Sequence, residues 1–253
     1  MTIPIAVQLY SLREQARDGI EAVLDRLGSI GYAGVETAGL QGLSGEQFRK
    51  ALDSAGLRAA SAHIGYEGRD AFRAALEAHA PLGVDTVIVP FAAPDEFKTS
   101  DGVAKLAERL NRANGIAHEF GVALGYHNHY WELQHSYTGR NALVHLFDLL
   151  EPTIVAEIDI YWARVGGADP VELLQTLAPR VTRVHVKDGP AVSPDQPMTA
   201  VGQGTLNIPT ILDAATDTQW HIVELDACAT DMFEAVAHSY TYLVDNGLSH
   251  GQR

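Results

Sequence analysis

Short apolar runs alternate with longer segments of helical period along the chain. Eight runs have the length and β-branched content of buried strands, at 3–10, 34–38, 58–63, 86–91, 122–129, 153–162, 181–187 and 221–226. Each is followed by a segment in which apolar residues recur every three or four positions, near 17–29, 44–55, 69–80, 99–119, 140–150, 169–177, 207–216 and 231–246. This alternation predicts parallel βαβ units with right-handed crossovers.

Eight βαβ units in 253 residues predict an α/β fold, a (β/α)₈ TIM barrel forming a single domain over residues 1–253. A doubly wound open sheet is the alternative, but no strand is followed by a GxGxxG or GxxxxGK[ST] loop. Ser44 with Gln47 is typical of a capping box, and Asp169-Pro170 of a helix start. The segment 188–207 is rich in Pro, Gly and Ser, which is typical of a lid or substrate loop.

The amino-acid composition limits the kinds of binding partner that can be expected. The formal net charge of −14 and the pI near 5.1 argue against a nucleic-acid surface, because the chain has no Lys/Arg surplus to replace phosphate counterions. The single cysteine, Cys228, excludes an intrachain disulfide framework. The first residues lack signal-peptide character, and no apolar run reaches membrane-spanning length. We therefore expect a cytoplasmic protein that has a small-molecule partner and does not bind nucleic acid or a membrane. A homodimer is the expected assembly.

Polar side chains are concentrated where the fifth predicted strand ends. The stretch 121–133 (GVALGYHNHYWEL) passes from apolar residues into His127, Asn128 and His129, and Glu132 follows shortly. Successive side chains of a strand point to opposite faces, so His127 and His129 are expected to share one face. Two imidazoles on one strand face indicate metal coordination or acid–base chemistry.

The same two-residue spacing recurs on the next three strands. The sets that share a face are Glu157, Asp159 and Tyr161; Arg183, His185 and Lys187; and Glu224 and Asp226. Barrel active sites lie at the carboxyl ends of the strands. Four adjacent strands thus offer a metal quartet of His127, Asp159, His185 and Glu224. Two imidazoles with two carboxylates suit Mn²⁺, Co²⁺ or Zn²⁺ better than Mg²⁺, and a buried polar network without metal is the alternative.

Motifs in a fixed order, one per strand, resemble those of the sugar phosphate isomerase/epimerase family. They are QLYSLR at 8–13, GYAGVETAG at 31–39, SAHIG at 61–65, LGYHNHYWEL at 124–133, EIDIYW at 157–162, HVKD at 185–188, VGQGTLN at 201–207 and IVELD at 222–226. These xylose isomerase-like TIM barrels also include ketose 3-epimerases, inosose dehydratases and endonuclease IV.

The resemblance implies one divalent metal ion held by Glu, Asp, His and Glu from strands five to eight. Asp159, His185 and Glu224 match this pattern, whereas the chain has His127 where many members have Glu. In the epimerases that Glu resembles one of two acid–base groups on opposite faces of the substrate. The second proton shuttle would therefore have to come from His129, Glu132, His63 or Lys187.

These observations predict a divalent-metal-dependent sugar isomerase or epimerase that abstracts a proton next to a carbonyl through a metal-bound enediolate. We expect Glu224 to be both ligand and base, and reprotonation to come from His129, Glu132 or Lys187. The predicted substrate contacts are Glu36, His63, Tyr10 and Trp162, and Glu157 is expected to be a structural partner of Arg183. The alternatives are a dehydratase or lyase on a keto-sugar or keto-inositol, an endonuclease IV-like phosphodiesterase, and a non-catalytic sugar-binding barrel.

Overall fold

The computed structural model describes residues 2–252 and shows a closed parallel barrel. Its strands are β1 (Ile3–Gln8), β2 (Gly34–Ala38), β3 (Arg58–His63), β4 (Thr86–Val89), β5 (Ala123–His127), β6 (Val155–Asp159), β7 (Val181–Val186) and β8 (Trp220–Val223). Each strand pairs in parallel with the next, and β8 closes the barrel by pairing with β1. The predicted (β/α)₈ architecture is confirmed.

The helices surround the barrel. They are α1 (Ile20–Ile30), α2 (Gly45–Ser54), α3 (Arg69–His79), α4 (Ser100–Glu119), α5 (Ala142–Leu149), α6 (Ile160–Val165), α7 (Pro170–Leu177), α8 (Ile208–Asp213) and α9 (Met232–Asp245). The capping box is confirmed at α2, where the Ser44 N–H donates to Gln47 Oε1 over 2.8 Å and the Gln47 N–H donates back to Ser44 Oγ. Asp169 likewise caps α7.

Smaller elements complete the described chain. A two-residue strand, Ser249–His250, pairs with the first two residues of β1. Ser136–Tyr137 and Arg140–Asn141 form a short antiparallel hairpin after β5. No helix within residues 2–252 has both the length and the apolar character that a membrane span requires.

Six strand predictions extended too far at the carboxyl end, two of them by three residues. The run 153–162 ends as a strand at Asp159, and the chain turns there into α6 because the Asp159 carboxylate accepts the Trp162 N–H over 2.8 Å. The prediction that Tyr161 shares a strand face with Glu157 and Asp159 is therefore wrong. The last barrel strand ends at Val223, so Glu224 lies in the loop that follows it.

Alternation along the strands separates an apolar outer layer from a polar axis. Ile158, Val184 and Val223 are fully buried in the apolar core. Glu157 and His185, of opposite parity, are also fully buried but meet other polar groups inside the barrel. A buried charge is stable only when it is paired, so the polar axis requires a connected network.

The 188–207 segment is fastened to the barrel at its first residue. The Asp188 carboxylate is fully buried and accepts the backbone N–H groups of Gly189, Gly202, Gly204 and Leu206 over 2.8–3.2 Å. A Cβ on Gly204 would collide with that carboxylate, so close approach of the backbone requires glycine there. One side chain thus organises a loop that lacks apolar periodicity.

Candidate active site and metal centre

A cavity of about 480 Å³ opens among residues at and beyond the carboxyl ends of the strands. Its lining residues are Tyr10, Ala38, His63, Pro90, Phe91, His127, His129, Glu224 and Asp226. The pairing of strands around the closed barrel brings together residues that are far apart in sequence.

The predicted metal quartet converges at the base of this cavity. His127, Asp159, His185 and Glu224 each offer one ligand atom, and these atoms lie within 4.8 Å of one another. All four residues are buried. His185 Nδ1 lies 2.8 Å from Glu224 Oε2, and His127 Nε2 lies 4.0 Å from Asp159 Oδ2. We call this quartet the upper tier.

Lys187 lies against the upper tier. Its Nζ is 2.9 Å from Asp159 Oδ2, 2.7 Å from Glu224 Oε2 and 2.6 Å from Asp226 Oδ2. Burial alone would lower the pKa of this ammonium, but the carboxylates outweigh burial and raise it well above its usual value. Lys187 is therefore a positively charged ammonium near neutral pH.

The two carboxylates of the upper tier respond differently to this environment. Burial would raise the pKa of Glu224, yet Lys187 and the His185 imidazole lower it well below its usual value. For Asp159, burial prevails and raises the pKa. Burial and the charge of His185 lower the pKa of His127, which leaves that imidazole in the neutral form that binds a metal. Burial would also lower the pKa of His185, but Glu157, Glu36 and Glu224 raise it well above its usual value, so His185 would release a proton when a metal binds.

A second layer of carboxylates lies beneath the quartet. Glu157 Oε1 is 3.1 Å from His127 Nδ1, 3.1 Å from His185 Nε2 and 2.8 Å from His63 Nε2. Glu36 Oε2 contacts His185 Nε2 over 2.7 Å and His63 Nε2 over 3.0 Å. We call His63, Glu36 and Glu157 the lower tier.

Glu36 is itself held in place by neighbouring strands. Gln8 Nε2 donates to Glu36 Oε2 over 2.7 Å, and Ser61 Oγ donates to Glu36 Oε1 over 2.5 Å. Burial would lower the pKa of His63, but Glu36 and Glu157 raise it to about 10. The imidazolium of His63 thus balances part of the charge of the lower tier.

The expected pairing of Glu157 with Arg183 is wrong. Arg183 instead donates to the Ala60 carbonyl over 3.0 Å and to Asp85 Oδ1 over 2.8 Å. Glu157 is in contact with both ligand histidines on the side opposite to the quartet. A carboxylate in that position fixes which ring nitrogen carries the proton and directs the other nitrogen at a metal.

His129 lies just beyond the end of β5 and lines the cavity, as expected. Its ring stacks on Trp131 with 4.3 Å between centroids, and its backbone N–H donates to Glu132 Oε2 over 3.0 Å. Glu132 is fully buried and also accepts the Tyr126 hydroxyl over 3.0 Å. Glu132 therefore lies behind His129, and the geometry gives it a supporting place rather than a position in the cavity.

Of the remaining predicted substrate contacts, two line the cavity and two do not. Tyr10 lies on the rim of the cavity, and His63 reaches the cavity from the lower tier. Trp162 is buried and outside the cavity lining, with its ring 5.2 Å from Lys187 Nζ. Glu36 is fully buried below the cavity.

Sequence reasoning missed Phe91, which lines the cavity at the end of the fourth predicted run. Its position just after β4 could have identified Phe91, because the active-site residues of a barrel lie at the carboxyl ends of the strands. Phe91 was missed because candidate residues were chosen for polar or titratable side chains at the strand ends, and phenylalanine has neither.

The upper tier has the donor chemistry of a divalent metal site. It combines two imidazoles with two carboxylates, which suits a borderline ion. Within residues 2–252, the buried atoms Asp159 Oδ2 and Glu157 Oε2 have no hydrogen-bond partner, although Lys187 Nζ lies near the first. Asp226 gives the Lys187 ammonium a partner outside the quartet. These residues fit one divalent cation, and the cluster could hold it.

Comparison with known proteins places this geometry in a family. Residues 24–230 match the model of the xylose isomerase-like TIM barrel. The inosose dehydratase of Geobacillus kaustophilus (strain HTA426) is 29% identical over 192 residues, covering 66% of this chain and 61% of that protein. The chain thus spans less than two thirds of that relative's length.

Solved structures share the fold over nearly the whole chain. A sugar phosphate isomerase/epimerase from Parabacteroides distasonis ATCC 8503 superposes with a TM-score of 0.83 at 25% identity, covering 96% of this chain and 94% of the other. A D-allulose 3-epimerase from Methylomonas sp. superposes with a TM-score of 0.71 at 13% identity, covering 96% and 98%. The second likeness concerns the fold alone. The chain belongs to the xylose isomerase-like TIM barrel family.

Proposed function

We propose that the protein is a divalent-metal-dependent sugar isomerase or epimerase that moves a proton next to a carbonyl. The observation that carries the proposal is that His129 lines one cavity together with His127 and Glu224, which are two members of a four-residue metal donor set. The donor set would be His127, Asp159, His185 and Glu224. A divalent ion held there would act as a Lewis acid on the substrate's carbonyl and hydroxyl oxygens.

The protein's own groups divide the work of proton transfer. Glu224 is ionised and lines the cavity, so it can accept the proton from the carbon next to the carbonyl. The Lys187 ammonium favours the charged form of Glu224, and it opposes the burial that raises the pKa of Asp159. His129 lines the same cavity and can return a proton, and Glu132 holds the backbone from which His129 projects.

Dehydration is the second candidate function. The matched inosose dehydratase supports it, and the first proton abstraction would be the same. Loss of a β-hydroxyl group would then replace reprotonation, with His129 as the acid that assists the leaving group. Phosphodiester hydrolysis is less well supported, because Glu224 and Asp226 face the cavity and would repel a phosphodiester.

Solvent isotope exchange tests the proton transfer. Enzyme loaded with Mn²⁺ is incubated in D₂O with a panel of keto-sugars and keto-inositols, and mass spectrometry follows deuterium at the carbon next to the carbonyl. Glu224→Gln should abolish exchange, while Glu151→Gln, at an exposed carboxylate remote from the cavity, should leave it unchanged. Turnover without deuterium uptake would exclude this mechanism. Water loss without a returned proton would favour dehydration.

Metal analysis tests the donor set separately. Elemental analysis of protein dialysed against Mn²⁺, Co²⁺ and Zn²⁺ should give one ion per chain. His127→Ala and Asp159→Ala should each lower that content, and so should Glu224→Ala. Unchanged metal content in all three variants would disprove the assignment of the ligands.

A further inference from the structure

The cavity above the quartet has two chemically different halves. His127, His129, Glu224 and Asp226 line one half, from the ends of β5 and β8. The other half includes His63 at the end of β3, but its remaining lining residues are mostly apolar: Tyr10, Ala38, Pro90 and Phe91, which end or follow β1, β2 and β4. We call these four residues the apolar half. A polar keto-sugar would satisfy the polar groups and leave the apolar half without a partner.

The apolar half includes unusually exposed aromatic side chains. Within the described part of the chain, four large apolar side chains are exposed: Tyr10, Phe91, Leu149 and Val192. Phe91 is 55% exposed and Tyr10 is 45% exposed, and both line this cavity. Exposed apolar surface that collects around one cavity indicates a binding surface rather than chance.

Both rings are held in place. Phe91 packs edge-on against His129 and Trp131, with centroid distances of 5.8 Å and 5.5 Å. The Arg13 guanidinium lies 4.2 Å from the Tyr10 ring centroid and donates to the Tyr10 and Asp226 carbonyls. A ligand that uses these rings therefore meets surfaces that are already ordered, which reduces the entropy cost of binding.

The charge of the cavity disfavours an anionic substrate. Glu224 and Asp226 line it, and no Lys or Arg of residues 2–252 is among its lining residues. The His63 imidazolium also lines it but is already paired with Glu36 and Glu157. The nearest ammonium, Lys187, contacts three carboxylates, and Arg13 is engaged with two carbonyls. A phosphate group would therefore meet no free cationic side chain.

We infer that the substrate is a neutral, unphosphorylated keto-glycoside whose apolar aglycone packs between Tyr10 and Phe91. The keto-sugar end lies over the polar half, and the aglycone fills the apolar half. This inference rests on the proposed function for its keto-sugar end, but the aromatic subsite makes its own prediction for binding.

Binding of unreactive probes tests the subsite without turnover. Isothermal titration would compare phenyl β-glucoside, glucose and glucose 6-phosphate in the Mn²⁺-loaded protein. Phenyl glucoside should bind more tightly than glucose, and glucose 6-phosphate more weakly. Phe91→Ala and Tyr10→Ala should each reduce the phenyl glucoside preference about tenfold, the size of one aromatic contact. Leu149→Ala, an exposed apolar residue outside the cavity, should keep the wild-type preference.

Three results would overturn the inference. One is tighter binding of glucose 6-phosphate than of glucose, and another is equal binding of phenyl glucoside and glucose. The third is dissociation of an oligomer by Phe91→Ala in analytical ultracentrifugation, which would show that a second copy covers the ring. Failure of the proposed function is distinguishable, because deuterium exchange would then be absent while the phenyl preference persists. Equal exchange rates with a free keto-sugar and its phenyl glycoside would count against the subsite alone.

Discussion

Replacing Glu157 by Gln should weaken metal binding although Glu157 is outside the quartet. Its Oε1 lies 3.1 Å from His127 Nδ1 and 3.1 Å from His185 Nε2, so one carboxylate supports both ligand imidazoles. Glutamine keeps the shape of the side chain but removes the charge that makes these hydrogen bonds strong. The amide can also donate, so it no longer dictates which ring nitrogen carries the proton.

The expected size of the effect follows from the number of ligands supported. Loss of one carboxylate behind a ligand histidine costs roughly 10–100-fold in metal affinity. Because Glu157 contacts two ligand histidines, we expect a loss of about 100-fold, or about 2.7 kcal/mol. Glu36 contacts one of them, His185, so Glu36→Gln should cost about tenfold.

The assay is the dissociation constant for Mn²⁺, measured by isothermal titration and by the electron paramagnetic resonance of free Mn²⁺. Glu157→Asp retains the charge but withdraws it by one methylene, so it separates orientation from simple charge attraction. We expect Glu157→Asp to stay weaker than the wild type, while Glu151→Gln at the surface binds normally. Wild-type affinity in Glu157→Gln, or a larger loss in Glu36→Gln, would refute the reasoning.

Three further outcomes are expected. Lys187→Met should destabilise the metal-free protein by about 3–5 kcal/mol, because it leaves buried carboxylates without their ammonium. Mn²⁺ should then raise the melting temperature of this variant more than that of the wild type. Equal increases in melting temperature would contradict this. Burial lowers the pKa of His221 from 6.5 to about 4, so only the unfolded chain gains a proton as the pH first falls below 6.5. His221 should therefore contribute a loss of about 2 kcal/mol to the free energy of unfolding between about pH 7.5 and about pH 5, and urea titrations of His221→Gln should lack this contribution. Asp188→Asn should speed proteolytic cleavage within 189–206 and leave the far-UV circular dichroism unchanged. The reason is that an amide oxygen cannot replace a carboxylate that accepts four backbone N–H groups. An unchanged cleavage rate would show that other contacts hold the loop.

Local pattern was sufficient for the order of the elements. Apolar runs and helical periods predicted all eight barrel strands, and the Ser44 and Asp169 caps appear where their sequence signals lie. One error occurs where a local hydrogen bond opposes the pattern. Asp159 ends its strand by capping α6, although the apolar run continues through Ile160 to Trp162.

The candidate site was partly predictable for a related reason. Strand parity and the common rim of a parallel barrel predicted that His127, Asp159, His185 and Glu224 would converge, and they do. Parity specifies to which face of the sheet a side chain points. Parity does not specify which residue that side chain contacts across the barrel.

The sequence by itself determined the alternation of strands and helices, and with it the barrel and the identity of the polar residues on its axis. These features depend on neighbours a few positions apart, whose hydrophobicity and hydrogen-bonding groups act locally. Only the tertiary structure decided that Glu157 supports two histidines, that Glu132 lies behind His129, and that Phe91 faces the cavity. The Glu157 contacts join strands that are distant in sequence, whereas the positions of Glu132 and Phe91 depend on how the loops pack at the end of the barrel. Barrel closure together with side-chain packing determines which of the possible partners come within reach.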